Sequence, residues 1–183
     1  MERASLAAFA GDVMVGGRIA HTSPFCRIEL ASDTAPRERV DALAAQLRRA
    51  GLDVTVRDDE VALLWDKLAF LAPLALLTTH AGGPAGVVRA ERRADLETVI
   101  GEVAAVAGAA GVRVDAAAVL DMFDRVPAGM RSSMQRDAEA DRPTELDAIG
   151  GAVLRAARRH GIDTPVTARL VGELRDREAV CSS

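Results

Sequence analysis

Residues 52–77, LDVTVRDDEVALLWDKLAFLAPLALL, change their period part-way through, and the change decides the fold. Val54 and Val56 alternate with polar neighbours, as one face of a short strand requires. Asp58 and Asp59 can cap a helix, and from Glu60 onward Val61, Leu64, Leu68, Leu71 and Ala75 recur at helical spacing. Leu63, Phe70, Leu74 and Leu77 fill the opposite side, so from Leu68 on the helix is apolar all round, which places it in the middle of a bundle. The run Leu68–Leu77 is about half as long as a bilayer-spanning helix, so it predicts burial in protein. Pro73 removes one backbone hydrogen bond and predicts a kink.

Upstream of this stretch the signals are of the strand type. Val13–Val15, Arg18–His21 and Arg27–Leu30 are short β-type runs separated by Gly16-Gly17 and by Thr22-Ser23-Pro24, which predicts hairpin-like strands. A helix follows, with Pro36 near its start, Val40, Leu43 and Leu47 at helical spacing, and Gly51 in place for a left-handed cap. Downstream, a glycine-rich loop is expected over Thr79–Gly86, then a long helix from about Ala90 to Ala110 and another from Asp115 through Phe123. A short helix should carry Ser132–Ala140, one should run from Thr144 to Gly161, and the last should start at Thr164-Pro165. The expected fold is mainly α. A helical bundle of about six helices spans 60–178, a small partial α/β segment precedes it over 1–59, and 179–183 form a tail.

The chain has 183 residues, 49% hydrophobic and 27% charged, enough to bury a core in one medium or two small domains and unlike a disordered chain. With 23 basic against 27 acidic residues, a net charge of −4 and no tyrosine, it lacks the clustered positive charge and stacking rings of a nucleic-acid binder. Cys26 and Cys181 are far apart and have no metal-ligand spacing, so they read as two free thiols in a reducing compartment, with no metal site. Leu6–Ala10 is too short for an export signal, and a cytoplasmic location is expected.

Of the 23 basic residues a single one is lysine, Lys67. Arginine holds its proton at every useful pH, whereas lysine can act as acid or base. A lysine that only snorkels from the helix flank is the alternative, and its position and uniqueness favour chemistry. A second constellation is Ser132-Ser133-Met134 with Asp137, followed by Thr144-Glu145. Ser133 and Asp137 share a helix face and Glu145 falls in a first turn, although capping alone would also select these residue types.

The pieces Thr22-Ser23-Pro24-Phe25, Asp58-Asp59, Leu64-Trp65-Asp66-Lys67-Leu68, Ser132-Ser133-Met134-Gln135-Arg136-Asp137, Thr144-Glu145-Leu146-Asp147-Ala148-Ile149-Gly150-Gly151 and Gly161-Ile162-Asp163-Thr164-Pro165 follow one another in an order that resembles the ketopantoate reductase family. The resemblance covers nearly the whole chain. It implies a C-terminal helical domain of the 6-phosphogluconate dehydrogenase type, preceded by the tail of a Rossmann dinucleotide-binding domain. It also implies NADPH-dependent reduction of 2-dehydropantoate to pantoate, in the pathway to pantothenate and coenzyme A. By the same resemblance Lys67 and Glu145 are catalytic residues and Ser133 meets the substrate carboxylate.

The chain departs from the family pattern in two respects. It carries no G-x-G-x-x-G fingerprint, and Gly82-Gly83-Pro84-Ala85-Gly86 lies between helices instead of after a strand. Leu71 and Ala75 stand where the family has asparagines, and the chain contains no asparagine. Two readings are therefore expected to compete: an oxidoreductase, truncated or completed by a nucleotide-binding partner, and a non-catalytic helical module for dimerisation or partner binding. A homodimer or partner chain should cover the strand edge between Val13 and Val56.

Overall fold

A computed structural model describes the backbone of residues 5–14 and 18–181 and the side chains of residues 27–180. The chain divides into two compact units, residues 1–64 and 65–183.

In the first unit, strand β1 (Ser5–Met14) pairs antiparallel with β2 (Arg18–Ala31), and β2 pairs in parallel with β3 (Asp53–Val56), giving a three-stranded sheet in the order β1-β2-β3. Helix α1 (Arg37–Arg49) makes the crossover that a parallel β2–β3 pair requires. Leu30, Val40, Ala44 and Val54 form the buried core, with Ile28, Ala35, Leu47, Leu52 and Val56 packed round it. Gly51 has a φ of 87°, as expected of a residue that ends a helix in the left-handed region.

The expected hairpin is present but its strands are longer than the sequence suggested. Thr22-Ser23-Pro24 does not end β2. Between the pairs Phe9↔Cys26 and Gly11↔His21, β1 advances two residues and β2 five, so the turn-forming residues sit in a bulge inside one continuous strand. Gly16 and Gly17 lie outside the described residues.

The second unit is helical. Helix α2 (Glu60–Ala81) runs unbroken through Pro73. It is followed by α3 (Ala85–Glu91), α4 (Arg93–Ala109), α5 (Ala116–Arg125), α6 (Ser133–Glu139), a π-helical turn over Asp147–Gly151 that leads into α7 (Ala152–His160), and α8 (Pro165–Cys181). Three expectations are corrected. The glycine-rich loop is confined to 82–84 because α2 continues to Ala81. The segment Ala85–Glu91 is a helix of its own that the sequence did not announce, and Arg92, with φ −129°, breaks it from α4, so the long helix expected from about Ala90 starts at Arg93. Helix α8 continues to Cys181, past the start of the expected tail.

Helix α2 is long and apolar enough to cross a membrane by length and composition, but 56% of its most apolar stretch is buried inside the protein, as the sequence predicted. Ala69, Ala72, Leu74, Ala75, Leu76 and Leu77 are buried in succession. Phe70 tilts against Phe123 of α5 with ring centroids 6.1 Å apart. A Cβ added at Gly150 would come within 2.5 Å of Val171 and 3.1 Å of Leu76, so this glycine lets the π turn approach α8 and α2 closely.

Helix α8 is capped from another helix. Glu102 of α4 is 8% exposed, and its carboxylate accepts hydrogen bonds from the amides of Val166 (2.9 Å) and Thr167 (2.8 Å) and from the Thr167 hydroxyl (2.6 Å). These are amides that the first turn of a helix leaves unpaired, and a buried negative charge at that end is favourable.

Two stability predictions follow from this packing. Glu102→Ala should lower the unfolding free energy by about 2–3 kcal/mol, the range for buried bonds to a charged group, and a loss below about 0.5 kcal/mol in urea titration would dismiss the cap. Gly150→Ala should cost about 1–3 kcal/mol through overpacking, whereas Gly101→Ala, where an added Cβ meets nothing within 4 Å, should stabilise by about 0.5–1 kcal/mol.

Candidate functional site

Lys67 lies in the second turn of α2. The start of that helix is fixed by Asp59, whose side chain accepts from the Ala62 amide at 2.8 Å and whose carbonyl accepts from the Leu63 amide at 3.2 Å. The Lys67 side chain is exposed.

Ser132 and Ser133 face different ways. Ser132 is the N-cap of α6: it is buried, and its Oγ accepts from the Gln135 amide at 3.0 Å. Its Oγ also lies 2.8 Å from Oγ1 of the buried Thr78 on α2. Ser133, the first residue of α6, is exposed. Asp137, on the Ser133 face, accepts from Nε (2.9 Å) and Nη2 (2.6 Å) of Arg142 and is engaged in holding the end of α6.

Thr144 begins the next segment. Its hydroxyl accepts from the Leu146 amide at 3.2 Å and donates to the Glu178 carboxylate. Glu145 is exposed, and its carbonyl accepts from the Ile149 amide at 2.9 Å. Two residues on, Asp147 accepts from Arg155 and Arg175, each at 2.9 Å. The hydrogen bond from Arg155, together with the charges of both arginines, holds the Asp147 carboxyl below the ordinary range against a smaller effect of desolvation.

All three site residues named from the sequence thus have exposed side chains, Ser133 and Glu145 at the start of a helical segment and Lys67 in the second turn of α2. A cavity of about 610 Å³ lies among Thr79, Met134, Gln135, Thr144, Leu174 and Arg177, and Lys67, Ser133 and Glu145 are not among the residues that line it. The sequence reading missed Thr78; its one signal was a hydroxyl closing a run of apolar residues.

The glycine-rich segment does not fit a dinucleotide pyrophosphate. Every amide it has is used by a backbone carbonyl: Gly82 to Thr79 (3.3 Å), Gly83 to Thr78 (3.3 Å), Ala85 to Met130 (2.8 Å) and Gly86 to Ala128 (2.8 Å). Among the described residues no cluster suits a metal ion.

Residues 61–178 match the family described as ketopantoate reductase PanE/ApbA, C terminal. The chain belongs to the ketopantoate reductase family. It is 31% identical over 165 residues to the 2-dehydropantoate 2-reductase of Vibrio cholerae, covering 88% of this chain and 55% of that protein. It is 33% identical over 165 residues to the 2-dehydropantoate 2-reductase of Pyrobaculum aerophilum, covering 86% and 59%. The crystal structure of 2-dehydropantoate 2-reductase from Geobacter metallireducens matches with a TM-score of 0.86 at 27% identity, covering 95% of this chain and 60% of that one. The chain therefore spans somewhat more than half the length of the ketopantoate reductases it matches.

The Asp147 pair gives a test with a definite sign. A carboxyl with a lowered folded-state pKa contributes stability that is present above its unfolded value of about 3.9 and lost as pH falls through the lowered folded value. Carboxyl NMR should show Asp147 titrating below the ordinary range and returning towards it in Arg155→Ala; an unchanged titration in that variant would remove the assigned cause.

Proposed function

We propose that this chain is the helical, substrate-binding half of an NADPH-dependent reductase of 2-keto acids, acting on 2-dehydropantoate or a close relative, and that it works with a nucleotide-binding half on the same polypeptide or a partner chain. The observation that carries the reading is the family match across residues 61–178. In the proposal residues 1–59 are the tail of the dinucleotide-binding domain and residues 60–178 the helical domain. A second chain, identical or complementary, would cover the strand edge.

NADPH supplies the hydride in such a reaction, and the described residues offer it no pyrophosphate cradle. The roles of this chain are those of substrate handling. Hydride addition to a ketone places negative charge on the carbonyl oxygen, and the Lys67 ammonium stabilises that charge and gives the proton. Glu145 binds the substrate and shares in catalysis, and the Ser133 hydroxyl donates to the substrate carboxylate. The exposure of all three side chains supports the reading, since groups that touch a substrate cannot be sealed in the core. Leu71 and the buried Ala75 give that side of α2 an apolar character, which favours a 2-keto acid with fewer hydroxyl groups to satisfy.

The test supplies the chain with a nucleotide-binding half and follows NADPH oxidation with a panel of 2-keto acids. Lys67→Ala and Lys67→Arg should each lose ~10²-fold or more in turnover, the usual size of a general-acid contribution, because arginine stays protonated at every useful pH and does not release a proton to substrate. Full activity in Lys67→Arg would refute the acid role. Absence of turnover in the unmutated assembly would favour the non-catalytic module.

A further inference from the structure

Thr78 and Ser132 are among the few polar side chains buried in the helical unit, at 0% and 4% exposure, 54 residues apart in sequence. Each hydroxyl has one proton to give, and the geometry leaves one arrangement. Thr78 Oγ1 donates to the Leu74 carbonyl at 2.7 Å, which uses its proton. Ser132 Oγ therefore donates to Thr78 Oγ1 at 2.8 Å, and accepts from the Gln135 amide at 3.0 Å. The result is a directed chain of three hydrogen bonds from the first turn of α6 into the backbone of α2.

Capping alone does not require this burial. Asp115 caps α5 through the amides of Ala117 and Ala118 at 3.0 and 3.1 Å and does so from an exposed position. Helix α6 has only seven residues, too few to be stable or to hold a position by itself, so tertiary contacts must place it. A Ser132 fixed through both its hydroxyl proton and its lone pair leaves the adjacent Ser133 little freedom beyond rotation of its own side chain.

We propose that Thr78 and Ser132 are positioning residues: their buried hydrogen bond locks the start of α6 onto α2, the helix that carries Lys67, and so fixes where Ser133 stands. The inference rests on the proposed role of Ser133 towards a substrate carboxylate and adds the device that holds it there.

The experiment is a double-mutant cycle in the full chain supplied with a nucleotide-binding half. Thr78→Val keeps the shape and removes both hydrogen-bonding roles. It should raise KM for 2-dehydropantoate about tenfold, the size of one lost hydrogen bond, with a smaller change in kcat. Ser133→Ala should raise KM similarly, and the double variant should be no worse than the poorer single one. Thr78→Ser should restore the KM. A substrate whose carboxylate is replaced by a methyl ketone should show no KM change in Thr78→Val, a result that general loosening of the fold would not give. If Thr78→Val fails to unfold cooperatively, Ser132→Gly, which still permits a helix start, must show the same KM change. Turnover with an unmoved KM in these variants, or KM effects that multiply in full with Ser133→Ala, would overturn the positioning role. No turnover in the unmutated assembly would instead overturn the reductase reading, and this inference with it.

Discussion

A helix that is apolar on every side has to be enclosed, and the second half of α2 sets that requirement for the whole helical unit. From Ala69 to Thr78 nearly every side chain is withdrawn from water. At roughly 25 cal/mol per Å² of apolar surface, exposing such a stretch would cost more than any surface interaction in the unit could return. The alanines at 69, 72 and 75 let neighbours approach closely, and Gly150 removes the one Cβ that would keep the π turn away from Leu76. Among the surrounding helices α3, α6 and α7 have seven to nine residues, too few to stand alone, and hold their places through packing.

Enclosure by several helices brings many helix ends inside or near the core, and each end carries backbone groups without intrahelical partners. The solution here is capping from a distance. Glu102 takes the first amides of α8, and Arg89 places one Nη on the carbonyls of Phe123, Asp124 and Val126 at the end of α5. Arg177 donates to the His80 carbonyl at the end of α2. The guanidinium suits this work because several donors leave it in one plane, as also in Arg48, which reaches the Val54 carbonyl through both Nε and Nη2. A chain built in this way has a structural reason to use arginine almost everywhere, and the lone lysine stands out more sharply for it.

What the sequence made legible follows from this division. Patterns confined to one element were readable: the period change at Asp59, the helix starts at Asp115 and Ser132, the left-handed Gly51 and the helix end at Gly161. Features whose cause lies in a distant partner were not. Nothing local marks Thr78 as the acceptor of Ser132, or Glu102 as the cap of α8, since the partners are 54 and 64 residues away. The break at Arg92 has neither glycine nor proline to announce it, so the expected long helix began at about Ala90, and the glycines round Pro84 hid the short helix α3. The turn signal at Thr22-Ser23-Pro24 was real but was spent on a bulge, where proline's missing amide causes no loss because the ladder is already interrupted.

The same distinction separates structure from chemistry at the candidate site. Serine, aspartate and glutamate at helix starts serve capping and catalysis equally well in a sequence, so Ser132-Ser133 and Thr144-Glu145 are ambiguous as written. The fold resolves each pair by direction. Ser132 turns inward, caps α6 and reaches Thr78, while Ser133 is left exposed; Thr144 supports the Leu146 amide and binds Glu178, while Glu145 gives only its carbonyl to the helix. In both pairs the first residue accounts for the local structure. The second has a side chain that the helix does not need, and it is that surplus, at two neighbouring helix starts in the same unit, which chemistry can use.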